Sequence, residues 1–167
     1  MRIISGNFKG KKLITPKDKY TRPLKDVVKE SIFNILEHSN LFKNRLYNSN
    51  ILDLFSGVGA FGLECISRNS KHVTFYENYS PALEILKKNI QNLDCSNKTE
   101  VIIKDIFISE KLITNIKNYD FIFCDPPFKE PRMTNLINII RDSKILKKDG
   151  IILIHRDKKK LDKFPKY

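Results

Sequence analysis

The stretch ILDLFSGVGAFGLECISR, residues 51–68, passes from a short apolar run through a glycine loop into a helical segment. Ile51–Phe55 reads as a buried strand and Ala60–Arg68 as a helix. Gly57, Gly59 and Gly62 match G-x-G-x-x-G across the junction. Glycines there permit a tight turn and let a ligand approach the backbone closely. By themselves they are a weak signal, because any packed strand–helix turn needs small residues.

Outward from this unit the alternation continues. His72–Tyr76 reads as a strand, and Pro81 at a first helical turn opens a helix to about Leu93. Val101–Ile103 is a strand followed by a weaker helix, Ile106–Ile116; Tyr119–Cys124 is a strand and Met133–Arg141 a helix; Ile151–His155 is a last strand. Five strands alternating with helices predict an α/β fold, a doubly wound and mostly parallel sheet with helices on both faces. Ligands in such sheets bind beyond the C-terminal ends of the strands. Ahead of this lies RIISGNFKGKKLIT, with a glycine at each of two turns, which predicts a small β-hairpin. LKDVVKESIFNILEH, residues 24–38, predicts a helix with Leu24, Val27, Val28, Ser31, Ile32, Ile35 and Leu36 on one face. The expected organisation is a basic extension, residues 1–40, packed on a Rossmann-like core, residues 41–167.

The formal net charge is +12, spread unevenly: +7 over residues 1–49, +1 over 50–154 and +4 over 155–167. A neutral middle between basic flanks points to a polyanionic partner held by the flanks. The three cysteines, Cys65, Cys95 and Cys124, are widely spaced, which argues against a zinc site or a disulfide framework and suits a reducing compartment. With no signal-peptide pattern and no membrane-length apolar stretch, the expectation is a cytoplasmic protein, plausible as a monomer.

The strand ends carry the chemistry. Strand two ends in Glu77, 20 residues after Gly57, where a carboxylate can accept hydrogen bonds from ribose hydroxyls. Asp53, ahead of the glycine loop with Ser56, favours a cationic ligand. S-adenosylmethionine (SAM) carries an ammonium and a sulfonium; NAD carries neither. After strand three, Asp105 could accept an adenine amino group and Ile106 could cover its face. An NAD-dependent oxidoreductase shares the glycine loop and Glu77 but leaves the next feature unexplained. Strand four ends in Asp125-Pro126-Pro127-Phe128. An exocyclic amine on a base is a poor nucleophile, because its lone pair is delocalised into the ring. Two acceptors set against its two N–H bonds orient it and draw the lone pair out. Asp125 supplies one; Pro126 offers a carbonyl with no competing N–H. Pro127 holds Pro126 extended, and Phe128 offers a stacking face. No metal is called for, and the scattered His38, His72 and His155 read as surface or packing residues.

RIISGNFKGKKL, TRPLKDVVKESIFNIL, ILDLFSGVGAFGLECISR and DPPF, in this order, resemble the RsmD-type methyltransferases of bacterial 16S ribosomal RNA over nearly the whole chain. The resemblance implies a Rossmann-like class I SAM-dependent methyltransferase that modifies the N2 amine of one guanine in 16S rRNA or the small ribosomal subunit. It implies that Asp53, Gly57, Gly59, Glu77 and Asp105 line the SAM site, that Asp125 to Phe128 hold the guanine, and that Arg2, Lys9, Lys11 and Lys12 contact RNA backbone. Arg22 and Pro23 match the family's Arg-Pro-Thr element, with Leu24 in place of Thr; the resemblance leads one to expect two further strands past strand five, and the sequence, whether a shortened chain or a fragment, stops at Tyr167 before them. The Asp-Pro-Pro-aromatic motif alone also fits an adenine-N6 methyltransferase, which the N-terminal motifs disfavour. A non-catalytic RNA-binding assembly factor is the remaining alternative.

Overall fold

The structure is a computed structural model; it describes residues 1–16, 24–40, 42, 45–108, 111–116 and 118–157. Five strands, β1 (Asn50–Leu54), β2 (His72–Tyr76), β3 (Thr99–Ile102), β4 (Tyr119–Cys124) and β5 (Leu146–Ile154), are interspersed with helices α1 (Asp26–His38), α2 (Ala60–Ser67), α3 (Ser80–Asn92) and α4 (Met133–Ser143), with no helix among the described residues between β3 and β4. The sheet order is β3-β2-β1-β4-β5 and every neighbouring pair is parallel. The chain winds outward from β1 to β3, then returns to the other side of β1 as β4. A crevice therefore opens between β1 and β4, where the winding direction reverses.

Strand periodicity divides the core into two layers. Ile51, Val73, Phe75, Phe121 and Phe123 face α1, α2 and α3. Leu52, Leu54, Tyr76, Ile122 and Cys124 face α4. A column of rings ties three elements together: Phe33 of α1 stacks on Phe61 of α2 at 5.2 Å, and Phe61 on Phe123 of β4 at 3.9 Å. All three cysteines are free and buried. Burial pushes their thiols up, Cys95 to about 11, so none is a ready nucleophile. Among the described residues no helix is long and apolar enough to cross a membrane, and no cluster of ligating side chains could hold a metal ion.

The expected N-terminal hairpin is present in short form, an antiparallel bridge between Arg2 and Lys12 with the Ile3 amide donating to the Lys11 carbonyl and the Leu13 amide to the Met1 carbonyl, around a 3-10 turn, Gly6–Phe8; three other expectations are corrected. Gly6 has a φ of +76°, and a Cβ there would lie 1.9 Å from the Ser67 carbonyl oxygen, so the turn presses directly on α2. The buried face of α1 is Lys29, Phe33 and Leu36, whereas Val27 and Ile35 are exposed. The apolar stripe misled because the helix buries a charge. The expected helix 106–116 is absent among the described residues, where Asp105 Oδ1 accepts the Phe107 amide at 2.8 Å and Ile108 and Ile113 face solvent. A local turn that satisfies that amide competes with the first helical turn. Finally, β5 starts at Leu146, and its register shifts between the pairings of Tyr119 and Phe121.

Buried polar side chains dock the N-terminal segment. Glu64 of α2 accepts the amides of Ile4 and Ser5 at 2.8 and 2.9 Å, and the Arg68 guanidinium at 3.0 Å. Lys29 donates to the Arg2 carbonyl at 2.5 Å. Ser67 Oγ accepts the Phe8 amide at 2.9 Å, and Asn89 of α3 both accepts from and donates to the Ile14 backbone. Each lone pair and proton taken up this way offsets the cost of burying its polar group.

Candidate active site

The crevice between the β1 and β4 tips holds a cavity of about 670 Å³. That is within the usual range for small-molecule sites. The Asp125 amide donates to the Leu54 carbonyl at 3.3 Å, so the two tips are stitched side by side. Lining residues come from past β1 (Phe55, Ser56, Gly57), β2 (Glu77), β3 (Asp105, Phe107), β4 (Asp125 to Phe128) and β5 (His155), with Leu24, Lys25 and Val28 closing one side.

Asp53 also lines the cavity, and its carboxylate accepts the Gly62 amide at 3.0 Å. Burial pushes its carboxyl well above the ordinary range, and the neighbouring charges of Asp125 and Glu77 add to the shift. At Gly57, φ is +54° and the amide donates to Glu77 Oε2 at 2.7 Å. Glu77 Oε1 accepts the amides of Asn78 and Tyr79 at 2.9 and 2.8 Å. Glu77 therefore holds the glycine loop against the β2 tip.

Two expected site residues lie elsewhere. Gly59 does not line the cavity; its φ is +83°, and an added Cβ would sit 2.5 Å from Leu86 Cδ1, so glycine serves the packing of α2 on α3. Ile106 is buried in the α4-side core, and the turn at Asp105 brings Phe107 to the cavity instead. The Phe107 ring lies beneath the Arg132 guanidinium, 3.7 Å from its centroid, and Arg132 in turn grips Glu130 at 2.7 and 2.9 Å. Arg132 holds the Glu130 carboxyl below its usual range, chiefly through these hydrogen bonds.

All four residues Asp125 to Phe128 line the cavity. His155, read from sequence as a surface or packing residue, instead sets its Nδ1 2.8 Å from Asp125 Oδ1. Its ring meets the Phe128 ring edge-on at 5.6 Å. Arg156 donates to the carbonyls of Pro127, Phe128 and Glu130 at 3.2, 3.3 and 2.9 Å. The rule that placed function just past strands would have found Arg156 had it been applied to strand five, and His155 as well once that strand is seen to end at Ile154. Arg2, Lys9, Lys11 and Lys12 are exposed on the N-terminal segment, and Arg22 and Pro23 lie outside the described residues.

The cavity thus gathers the carboxyl groups of Asp53, Glu77, Asp105 and Asp125 with the rings of Phe107 and Phe128. Such a lining suits a ligand with cationic groups and hydroxyls beside a planar ring.

A family model described as Conserved hypothetical protein 95 matches residues 1–167. The chain is 35% identical over 161 residues to the ribosomal RNA small subunit methyltransferase D of Haemophilus influenzae, covering 96% of this chain and 80% of that one. It is 34% identical over 164 residues to the protein of the same name from Buchnera aphidicola, covering 98% and 82%. Among solved structures, a candidate methyltransferase from Escherichia coli superposes with a TM-score of 0.80 at 27% identity, covering 99% of this chain and 86% of that one.

Proposed function

We propose, from the premise that the chain belongs to the Conserved hypothetical protein 95 family and is an rRNA methyltransferase, that it uses SAM to methylate the exocyclic N2 amine of a guanine in small-subunit 16S rRNA. The observation that carries this reading is the placement of Asp125 and Pro126 in the same cavity as Asp53 and Glu77.

SAM fits the residues present. Asp53 is a buried acid crowded by two other acids, and a cationic ligand would relieve that crowding. Asp53, Ser56 and Gly57 would hold its amino-acid end, Glu77 its ribose, and Asp105 with Phe107 its adenine. When bound, SAM supplies an electrophilic methyl group on a sulfonium. The rest is done by the chain. Asp125 and the Pro126 carbonyl accept the two N–H bonds of the target amine and fix the direction of its lone pair. The Asp125 charge stabilises the positive charge that develops on nitrogen. Phe128 stacks on the base, which must be unpaired or flipped to enter. The exposed Arg2, Lys9, Lys11 and Lys12 contact phosphates.

The test is methyl transfer from tritium-labelled SAM to small subunits isolated from cells lacking the gene, with the product nucleoside identified by mass spectrometry. N2-methylguanosine is the expected product. N6-methyladenosine, or no transfer, would overturn the assignment.

A further inference from the structure

We propose that His155 and Arg156, consecutive residues just past β5, are a positioning pair for the loop that grips the target amine. The inference rests on the reading of Asp125 to Phe128 as that grip. The loop is short of backbone donors. Pro126 and Pro127 have no N–H, which removes two donors from its first four residues. The Glu130 amide closes a turn onto the Pro127 carbonyl at 2.8 Å. The guanidinium of Arg156 adds donors from outside, reaching the carbonyls of Pro127, Phe128 and Glu130. A planar fork with five N–H donors can serve three diverging carbonyls; a lysine ammonium lacks that breadth and rigidity.

His155 acts on the side chain of the same loop. Nδ1 lies 2.8 Å from Asp125 Oδ1, and both side chains are about four-fifths buried, with 20% and 21% exposed. An ionised carboxylate only accepts, so the imidazole donates through Nδ1–H. A charge-assisted bond of this kind fixes the rotation of the carboxylate and keeps it an acceptor. The edge-on Phe128 ring, at 5.6 Å, restrains the imidazole in turn. Backbone and side chain of the grip are therefore set from one strand tip, and the β5 register that delivers Ile154 opposite Cys124 delivers His155 to Asp125. The His155 amide extends this register by donating to the Cys124 carbonyl at 2.9 Å.

The test has a readout that needs no catalysis. In the protein labelled with ¹⁵N-histidine, NMR should report the Nδ1–H tautomer for His155, and Asp125→Ala should release it. An Nε2–H tautomer in the wild type would overturn the proposal. In turnover, His155→Phe should lower kcat about 10- to 100-fold with SAM affinity by calorimetry unchanged, since a misplaced reacting group costs on that order. His155→Asn, whose amide nitrogen can take the place of Nδ1, should recover most of the loss. Arg156→Lys should lower kcat without weakening SAM. Equal activity of the Phe and Asn variants, or a loss confined to SAM affinity, would overturn the pairing. Should the Phe variant melt below the assay temperature, the tautomer and the Asn variant decide. A wild type with the expected tautomer but no transfer to rRNA would sink the functional reading and leave the His155–Asp125 bond standing.

Discussion

The Lys29 ammonium lies 3.4 Å from Glu64 Oε2, with neither side chain reached by solvent, and the same carboxylate receives the Ile4 and Ser5 amides. One buried charge pair thus joins α1, α2 and the N-terminal segment. Glu64→Gln keeps the shape and removes the charge, leaving the buried ammonium, among the described residues, with only the half-exposed Asp26 carboxylate at 3.9 Å to balance it. We expect a loss of about 3–5 kcal/mol in urea unfolding, the usual cost of breaking a buried pair from one side. The double change Lys29→Met with Glu64→Gln should cost less than the sum of the single changes, because the two sites share the contact. Additive losses would show the two to be independent.

Asp125→Ala should abolish methyl transfer while calorimetric SAM binding persists, since the residues assigned to SAM stand at or past the ends of β1, β2 and β3. Asp125→Asn retains one acceptor oxygen and should lose about 10²–10³ in kcat, the typical magnitude for removing one electrostatic stabiliser. Full activity in the alanine variant would remove Asp125 from the mechanism.

Asp53 gives a pH signature. Its folded carboxyl sits above its unfolded value because of burial. Between those two values the folded chain binds more protons than the unfolded one, so its contribution to stability falls as pH rises through the window. Wild-type stability measured against Asp53→Asn should therefore decline with rising pH above the ordinary carboxylate range, in the absence of SAM. The same variant should bind SAM more weakly. A difference that grows in the opposite sense would contradict the burial argument.

Lys9, Lys11 and Lys12 are exposed and should act as phosphate contacts. Binding to an rRNA fragment should weaken steeply with salt. Each lysine replaced by alanine should flatten the slope of log K against log salt by roughly 0.7–0.9, the value per neutralised phosphate. Unchanged slopes in the triple variant would place the RNA on another face.

Much of this architecture is legible in the residues. Among the described residues the four helices and five strands follow in outline from periodicity, and the cavity opens past strand tips because a doubly wound sheet leaves its crevice there. The exceptions arise where a contact that periodicity does not register, distant or local, decides the structure. Lys29 is an unlikely core residue until Glu64 is opposite it, and an apolar stripe cannot anticipate that contact. Asp105 stops a helix through a bond to an amide two residues on, which helical spacing ignores. His155 is 30 residues from Asp125, and only the register of β5 on β4 reveals their meeting. Gly59 and Gly62 fit the ligand motif by pattern, yet their hydrogens face Leu86 and Phe75.

The order of the sheet has a bearing on biogenesis. β5 is the last of the five strands in chain order and flanks β4 at the margin of the sheet. As the polypeptide emerges from the ribosome, the wall residues carried by the first four strands precede His155, which completes the lining, and Arg156. In chain order, therefore, the residues proposed to hold the small molecule precede the pair proposed to brace the grip on the nucleobase.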